Sequence, residues 1–537
     1  MLLDTAICAQ ARKTRDARFD GRFFTGVLST GIYCRSICPA RSPKEENIRY
    51  FPTAAAAAEA GLRPCLRCRP ECSPGTPAWL GTSATVSRAL RLISESALED
   101  GGIETLAERL GIGGRHLRRL FLQHLGASPI AVAQTRRLHF AKKLIDDSRL
   151  PMSEVALASG FGSIRRFNVA FRKTYNRTPT QLRKLGRQAS AMSEGEYCFQ
   201  LRYRPPFDWI SMLEFLAPRA TPEVEMVENG TYRRVFSLND DIGWFEAFVD
   251  EKNHDETNHA EADHVETNAE TNHAVTLRIH YPQPRSLFLI VERVRRMFDL
   301  SAEPNEIMRR LSGSAVLARR VKARPGLRVP GSWDGFELAV RAILGQQVTV
   351  RGATTLTGRL VREFGVQVTS RRGISHLFPA PEKLVEANFS RVGLTRARAL
   401  TIRSLARAVC DGGISFSGLN TDEFVERFRE LPGIGDWTAQ YVAMRAFNEP
   451  DAFPASDLGL LRAAGLNNPK QLAARAEAWR PWRAYAAMYL WQTQKSSQKS
   501  SLKFRQKGIN HDDDNLRYRD QLYPNREPGR AALAGGR

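Results

Sequence analysis

Apolar residues recur at helical spacing in two long regions, residues 84–184 and residues 332–494, with short breaks at Gly and Pro. Each region therefore predicts a bundle of short helices. Between them, alternating apolar and polar residues from Tyr197 and around Val275 predict strands, and an apolar stripe from Leu287 predicts a helix. The expected architecture is multidomain and mainly α, with an α+β segment between two helical regions.

The first helical region contains an internal repeat. A shift of fifty positions superposes four pairs of residues: Arg115 and Arg165, Leu117 and Phe167, Phe121 and Phe171, Pro129 and Pro179. One position differs, since Arg119 meets the apolar Val169. The copies "LAERLGIGGRHLRRLF" and "VALASGFGSIRRFNVAFRK" each predict a helix, a Gly-containing turn and an Arg-rich helix. This order is typical of helix-turn-helix motifs, whose second helix enters the major groove of DNA.

A chain of 537 residues is too long for one ordinary hydrophobic core, so several domains are expected. The break "SPGTPAW" closes a cysteine-rich start, and a polar, self-similar tract interrupts the predicted strands. That tract holds four of the ten histidines; a solvated loop is the favoured interpretation and metal binding is the alternative. The predicted boundaries are 1–78, 82–187, 195–300 with a disordered insert at 251–274, 301–495, and a disordered polar tail at 496–537.

The chain carries a formal net charge of +22, with a sequence pI near 10.0 and clustered arginines. A polyanion is therefore the expected partner, and nucleic acid is the leading one. No apolar run is long enough to cross a bilayer, and the first residues lack the apolar stretch of a signal peptide. We expect a cytoplasmic protein, located at the bacterial nucleoid, with no membrane partner.

Six of the eight cysteines lie within the first 72 residues, which in a reducing compartment favours a metal site over disulfides. The pairs Cys34-x3-Cys38 and Cys65-x2-Cys68 predict one tetrahedral zinc ion per chain. Such a site is either an inert staple or the holder of a reactive thiolate, because the metal removes the proton from each thiol. The spacing leaves both open, and Cys72 is an extra thiol that could compete as a ligand.

The segments "TGIYCRSICPARSPKEENIRYF" and "GLRPCLRCRPE" resemble the N-terminal zinc domain of the Ada adaptive-response proteins, over roughly residues 16–71. Proteins of that family accept a methyl group from a methylphosphotriester in DNA. The resemblance implies that Cys34 is the methyl acceptor, with the other three ligands completing the zinc shell: Cys38, Cys65 and Cys68. It also implies that three residues face the DNA backbone: Thr30, Arg41 and Arg63.

The tandem repeat, which ends in "YNRTPTQLRK", resembles the DNA-binding domain of AraC-type regulators. In that family two helix-turn-helix motifs, joined by a long helix, read successive major grooves; the long helix is expected here near "AVAQTRRLHFAKKLI". RNA polymerase is the further partner implied. The residues expected at DNA are His116, Arg118, Arg119, Arg165 and Arg166.

The segment "LPGIGDWTAQYVAMRAF" is a Gly-rich hairpin that opens a helix, so Gly433 and Gly435 let backbone N–H groups approach a DNA phosphate. A plain connector between helices is the alternative for these glycines alone. With "DAFPASDLGLLRA" and "RYRPPFDWISMLEFLAPRA", residues 197–494 resemble 3-methyladenine DNA glycosylase II, the AlkA type, in the helix-hairpin-helix superfamily.

This second resemblance implies that Asp457 is the catalytic carboxylate. It also implies an aromatic pocket for an alkylated, cationic purine, formed by Trp437, Tyr441 and Trp491. Gln347 stands where the family has its wedge residue, which is commonly apolar. Relatives that also cut the strand carry a lysine nucleophile where Trp437 stands, so we expect a monofunctional glycosylase. No cysteine quartet in this half would hold an iron–sulfur cluster.

The resulting hypothesis is a monomeric, fused alkylation-damage protein, with an Ada-like sensor and regulator joined to an AlkA-like glycosylase. No "PCHRV"-type acceptor motif follows, so the O6-methylguanine transferase domain is expected to be missing. Two alternatives remain open. One is a transcription regulator whose glycosylase-like half only binds DNA, and the other is a glycosylase with a decayed sensor.

Overall fold

The computed structural model describes residues 4–74, 84–94, 102–185, 195–250, 273–371, 373–416 and 421–492. The predicted tail at 496–537 lies outside the described residues, and so does the predicted insert up to residue 272.

The cysteine-rich start forms a small sheet with a helix before it and another inserted in it. Its elements are α1 (Thr5–Lys13), β1 (Phe24–Val27), β2 (Ile32–Cys34), β3 (Ile48–Phe51), α2 (Ala54–Glu59) and β4 (Arg63–Pro64). The strand order is β3-β1-β2-β4, and only β2 and β4 are parallel. Thr53 caps α2 by accepting a hydrogen bond from the Ala56 N–H, and the alanines of α2 then pack against the aromatic residues Phe24, Tyr33 and Phe51.

The next region is all helical. Its elements are α3 (Ala84–Ser94), α4 (Gly102–Arg109), α5 (Gly114–Leu125), α6 (Pro129–Asp147), α7 (Met152–Ala158), α8 (Ile164–Tyr175) and α9 (Pro179–Leu185). The repeat is confirmed residue by residue, because α5 and α8 begin and end fifty positions apart. Both end in a left-handed residue, Gly126 and Asn176, and both are followed by a helix that begins at a proline.

The α+β part is a five-stranded antiparallel sheet with helices against it. Its elements are β5 (Glu196–Arg202), α10 (Trp209–Leu216), β6 (Glu225–Glu228), β7 (Thr231–Leu238), β8 (Asp241–Phe248), β9 (Ala274–His280) and α11 (Leu287–Met297). The strand order is β5-β9-β8-β7-β6. Alternation in β5 turns Tyr197, Phe199 and Leu201 into the core, as the sequence pattern predicts.

The last described region is mainly helical. Its elements are α12 (Pro304–Ser312), α13 (Ala318–Ala323), α14 (Gly335–Leu344), α15 (Val350–Phe364), β10 (Val366–Arg371), β11 (Ile374–Leu377), α16 (Pro381–Leu384), α17 (Arg396–Cys410), α18 (Thr421–Arg429), α19 (Asp436–Ala446), α20 (Leu458–Ala463), α21 (Pro469–Ala476) and α22 (Arg483–Trp491). The hairpin β10–β11 corrects the prediction that residues 332–494 form helices alone, since these strands are too short to break a helical pattern that is read over a long window.

The long helix α6 packs against the cysteine-rich part on one side and the α+β part on another. Tyr33 Oη and His139 Nε2 lie 3.0 Å apart and share a hydrogen bond. A second link is the buried Glu303, which pairs with Arg22 at 3.4 Å and with Arg204 at 2.9 Å. The described residues up to Gln492 therefore belong to one compact unit in which these parts are in direct contact.

Candidate functional sites

Four cysteines converge at one end of the small sheet. Cys34 ends β2 and Cys65 follows β4, and the Cys65 N–H donates to the Tyr33 carbonyl at 3.0 Å. With Cys38 and Cys68, their sulfur atoms all lie within 4.8 Å of one another. Around a tetrahedral zinc ion, sulfur atoms are separated by about 3.8 Å, as follows from Zn–S bonds of about 2.3 Å. The four thiols therefore fit a zinc ion with little adjustment.

The fifth thiol of this region is not part of the cluster. Cys72 closes the short 3-10 turn Pro70–Cys72, and burial raises the pKa of its thiol. Cys72 is half-buried, and a thiol that stays neutral is a poor metal ligand and a poor nucleophile. Of the thiols described, those close enough to share one ion are the four that the sequence predicts.

The four cysteines differ in how far solvent reaches them. Cys65 and Cys68 are 9% and 3% exposed, whereas Cys34 and Cys38 are half-buried. Cys68 is held further, because its sulfur accepts a hydrogen bond from the Arg35 N–H at 3.4 Å. A DNA phosphate could therefore reach only Cys34 or Cys38 of this set.

A buried ion pair lies directly behind the cluster. The buried Arg35 donates from Nε to Asp20 at 2.9 Å and from Nη1 to the Cys68 carbonyl at 3.0 Å. Burial alone would lower the pKa of Arg35, but Asp20 outweighs burial and raises it. Arg35 and Asp20 thus form a buried ion pair with no net charge, and Arg35 also holds the Cys68 carbonyl beside the four thiols.

Two of the three residues expected at the DNA backbone lie near each other in this small domain. Thr30 is exposed in the turn between β1 and β2, and the Arg63 N–H donates to the Gly31 carbonyl in that turn at 2.8 Å. Arg41 is exposed in the loop that follows Cys38. All three side chains are accessible to a ligand, and Thr30 and Arg63 lie on the same edge.

The predicted major-groove residues are all exposed on the second helices of the two motifs. His116, Arg118 and Arg119 lie on α5, and Arg165 and Arg166 lie on α8. Within α5, Arg119 Nη2 and His116 Nδ1 are 2.9 Å apart. Arg118 pairs with Glu104 on the neighbouring helix α4 at 3.0 Å. The Leu and Phe residues between them, such as Leu117 and Phe167, are buried.

A carboxylate is held between two tryptophans in the last helical region. Asp457 caps α20, with Oδ1 accepting from the Leu460 N–H at 2.9 Å. Trp437 Nε1 donates to Asp457 Oδ2 at 2.8 Å, and Trp491 Nε1 donates to Oδ1 at 2.9 Å. Helices α19, α20 and α22 thus meet at this carboxylate, and three donors fix its orientation.

The third predicted aromatic residue completes the pocket. Tyr441 stacks on Trp437 with 5.2 Å between ring centres, and its ring stands edge-on to Trp491 at 6.3 Å. The buried Arg445 donates from Nη1 to Tyr441 Oη at 2.8 Å. Burial would raise the pKa of Tyr441, but Arg445 and then Arg219 outweigh it and lower the pKa from its ordinary value.

The hairpin and the predicted wedge are exposed on neighbouring loops. Gly433 has a φ of +80°, and a side chain there would meet Thr401 Oγ1 at 2.2 Å, so the turn requires glycine. Gly435 immediately precedes α19. Gln347 is exposed between α14 and α15, with a φ of +57°. By contrast Trp479 and Trp482, in the same region, are buried in the core.

A cavity of about 580 Å³ lies elsewhere, between α6 and the last helical region. Arg136, Lys143, Arg295 and Arg483 are among the residues that line it. None of the predicted site residues contributes to this cavity, so its size does not indicate the chemistry of the molecule.

Four family models match successive parts of the chain. The metal binding domain of Ada matches residues 7–71, and a helix-turn-helix domain matches residues 106–185. The AlkA N-terminal domain matches residues 198–334, and the HhH-GPD superfamily of base excision DNA repair proteins matches residues 340–483.

One relative spans almost the whole chain. It is the "Probable bifunctional transcriptional activator/DNA repair enzyme AlkA" of Mycobacterium tuberculosis, which is 39% identical over 495 residues, covering 90% of this chain and 96% of the relative. The chain belongs to the family of bifunctional Ada/AlkA-type transcriptional activator/DNA repair enzymes. The match runs through both halves, so the Ada/AlkA-type order of domains is shared along nearly the full length.

Two further relatives each match one half of this Ada/AlkA-type chain. The DNA-3-methyladenine glycosylase 2 of Escherichia coli is 31% identical over 300 residues, which are 55% of this chain and 97% of the relative. The bifunctional transcriptional activator/DNA repair enzyme AdaA of Bacillus subtilis is 30% identical over 178 residues, which are 33% of this chain and 82% of the relative.

Sequence reasoning missed the charged residues behind both Ada/AlkA-type sites. Arg35 lies next to a predicted ligand, and Arg445 lies one helical turn after Tyr441, so spacing alone could have drawn attention to them. Arg219 lies more than 200 residues before Tyr441 along the chain and carries no local signal of its role. Among the described helices, none is long and apolar enough to cross a membrane.

Proposed function

We propose that this protein repairs alkylation damage in DNA and regulates the response to it. Its C-terminal half acts as a monofunctional glycosylase that releases alkylated purines such as 3-methyladenine. Its N-terminal half accepts a methyl group from a DNA methylphosphotriester on Cys34 and regulates transcription. The observation that carries the first part is the Asp457 carboxylate, fixed by two indole N–H groups beside an aromatic pocket.

In the excision step the aromatic residues of the pocket bind the base, and Asp457 stabilises the charge that develops on the sugar. An alkylated purine carries positive charge, so the electron-rich faces of Trp437, Tyr441 and Trp491 favour it over a normal base. The bond between C1′ and the base nitrogen breaks, and its electron pair leaves with the base. Asp457 stabilises the positive charge that develops on the sugar and orients the water that adds to C1′. Trp437 occupies the position of the lysine nucleophile, so the strand stays uncut.

The acceptor step uses the accessible edge of the cysteine cluster. Zinc, when bound, keeps the thiols deprotonated and Cys34 nucleophilic. The Cys34 sulfur attacks the methyl carbon of the phosphotriester, the S–C bond forms, and the C–O bond breaks with its electron pair going to phosphate. Thr30, Arg41 and Arg63 hold the DNA backbone in place. The loss of one negative charge from the cluster then strengthens DNA binding.

Regulation follows from the repeat beside the sensor. The exposed faces of α5 and α8 carry five basic residues: His116, Arg118, Arg119, Arg165 and Arg166. This arrangement supports contact with two successive major grooves of promoter DNA. The protein acts as a cytoplasmic monomer at the bacterial nucleoid, with one zinc ion per chain and RNA polymerase as its partner on promoter DNA.

Asp457→Asn tests the excision role, because it keeps the shape of the side chain and removes its charge. The release of 3-methyladenine from alkylated DNA should fall by about a thousandfold, as expected when a main source of electrostatic stabilisation is removed. DNA binding and methyl transfer to Cys34 should be unchanged. Release at the wild-type rate would contradict the role of Asp457, and no release by the wild-type protein would favour a regulator that only binds DNA.

A further inference from the structure

Two exposed loops of the glycosylase half lie side by side, and each carries a residue assigned to DNA. The loop between α14 and α15 carries Gln347, and the hairpin between α18 and α19 carries Gly433. Gln347 has a φ of +57°, which residues other than glycine rarely adopt, so its surroundings must hold it there.

The residue before the wedge ties these loops together. Gln346 Nε2 donates to the Gly433 carbonyl at 3.0 Å and to Thr438 Oγ1 at 3.0 Å. An amide nitrogen has two N–H groups, so both are used on the hairpin and the start of α19. On the other side, Arg398 Nη2 donates to the Gln346 carbonyl. One side chain therefore connects the wedge loop to the phosphate-facing turn.

Helix α17 supports both loops from one face. Arg398 bonds the wedge loop, and Thr401, one turn later, lies so close to Gly433 that a Cβ there would be 2.2 Å from its Oγ1. The turn is thus confined between Thr401 on one side and the Gln346 amide on the other. Neither loop can shift without disturbing the same hydrogen bonds.

We propose that Gln346 is a positioning residue that couples the grip of the hairpin on a DNA phosphate to insertion of Gln347 into the base stack. The inference rests on the proposed glycosylase function. Unstacking and flipping a base costs free energy, which contacts to the DNA backbone must offset. The two side-chain hydrogen bonds of Gln346, which we call the bridge, link the phosphate-binding hairpin directly to the wedge loop. Phosphate binding and insertion of Gln347 therefore occur together.

Two variants of the full chain test this role, and a third variant controls for the added negative charge of one of them. Gln346→Met keeps the length of the side chain and removes both donors. Gln346→Glu keeps its shape but puts a carboxylate against the Gly433 carbonyl. Gln367→Glu, at an exposed position on β10, adds the same charge without touching either loop and serves as the control.

The measurements are the single-turnover rate of base release from a duplex with one 7-methylguanine and the fluorescence of 2-aminopurine next to that base. For both Gln346 variants we expect the maximal rate and the fluorescence change to fall by at least about tenfold, since Gln346→Met loses both hydrogen bonds and Gln346→Glu loses the one to the Gly433 carbonyl. Affinity for undamaged duplex should stay within about twofold, because the hairpin backbone and surface charges still bind phosphate. The control should match the wild type.

Two results would overturn the inference. One is base release and fluorescence at wild-type levels in Gln346→Met. The other is an equal loss of affinity for undamaged duplex and of release rate, which would mean that Gln346 only maintains the shape of the hairpin. If the wild-type protein itself releases no base, the proposed glycosylase function fails instead, so the two failures are distinguishable.

Discussion

The cysteine site and the base pocket differ in how far apart along the chain their parts lie. The four cysteines fall between residues 34 and 68, at the end of β2 and in the turns after β2 and β4. The pocket joins three helices of the last region, and its tyrosine lies against Arg219, which is more than 200 residues earlier. The cysteine site thus needs only the small sheet around it, whereas the base pocket needs helices that meet only once the whole last region has folded.

Removal of the metal should separate the two sites most sharply, because it should abolish the activity of the cysteine site and spare that of the base pocket. Chelation, or Cys65→Ser, leaves thiols without the ion that orders them, and structural zinc contributes about 10–16 kcal/mol in small zinc domains. We expect complete loss of methyl transfer to Cys34, with 3-methyladenine release retained. Both activities can be measured on the same alkylated DNA. A parallel loss of base release would show that the pocket does not fold independently of the cysteine site.

Trp491→Phe should have a smaller effect, and it should lower base excision instead of methyl transfer. It keeps an aromatic face but removes the N–H that donates to Asp457 Oδ1 at 2.9 Å. Hydrogen bonds to charged groups contribute about 1.5–3 kcal/mol, so we expect the single-turnover rate to fall by about tenfold to a hundredfold. Trp482→Phe, in the core of the same region, is the matched control for the ring change. Methyl transfer should be unaffected, and an unchanged excision rate would count against the fixed carboxylate.

The smallest effect is expected where the cysteine site meets α6. Burial lowers the pKa of His139 from 6.5 to about 4, so the folded protein holds it neutral beside Tyr33. The unfolded chain binds a proton there below its ordinary pKa, so this residue makes stability fall as the pH drops from about 6.5 towards about 4.

His139→Gln removes that titrating group. The thermal midpoint of the variant should therefore fall less than that of the wild type between about pH 7 and about pH 5. The comparison needs both proteins with zinc bound, so that loss of metal at low pH affects them equally. An identical pH dependence in the two proteins would contradict the burial of a neutral His139.

The same difference between local and distant residues decided what the sequence could predict. The four cysteines, the fifty-residue repeat and the Gly hairpin carry spacing that physical rules can interpret. In the structure the four sulfur atoms lie together, the repeated helices lie fifty residues apart, and Gly433 has a positive φ. The short strands β10 and β11 were missed, because six and four residues give too little pattern within a helical region. Arg219 and the bridge at Gln346 were missed because their roles exist only after distant segments pack together.

The central claim is that one chain carries two separate repair chemistries. Peptide mass spectrometry of the Asp457→Asn protein, after incubation with methylated DNA, tests this claim most directly. We predict one added methyl group, located on Cys34 rather than on Cys38 or Cys72, while no 3-methyladenine is released above background. An unmodified Cys34, or a methyl group on another cysteine, would contradict the account.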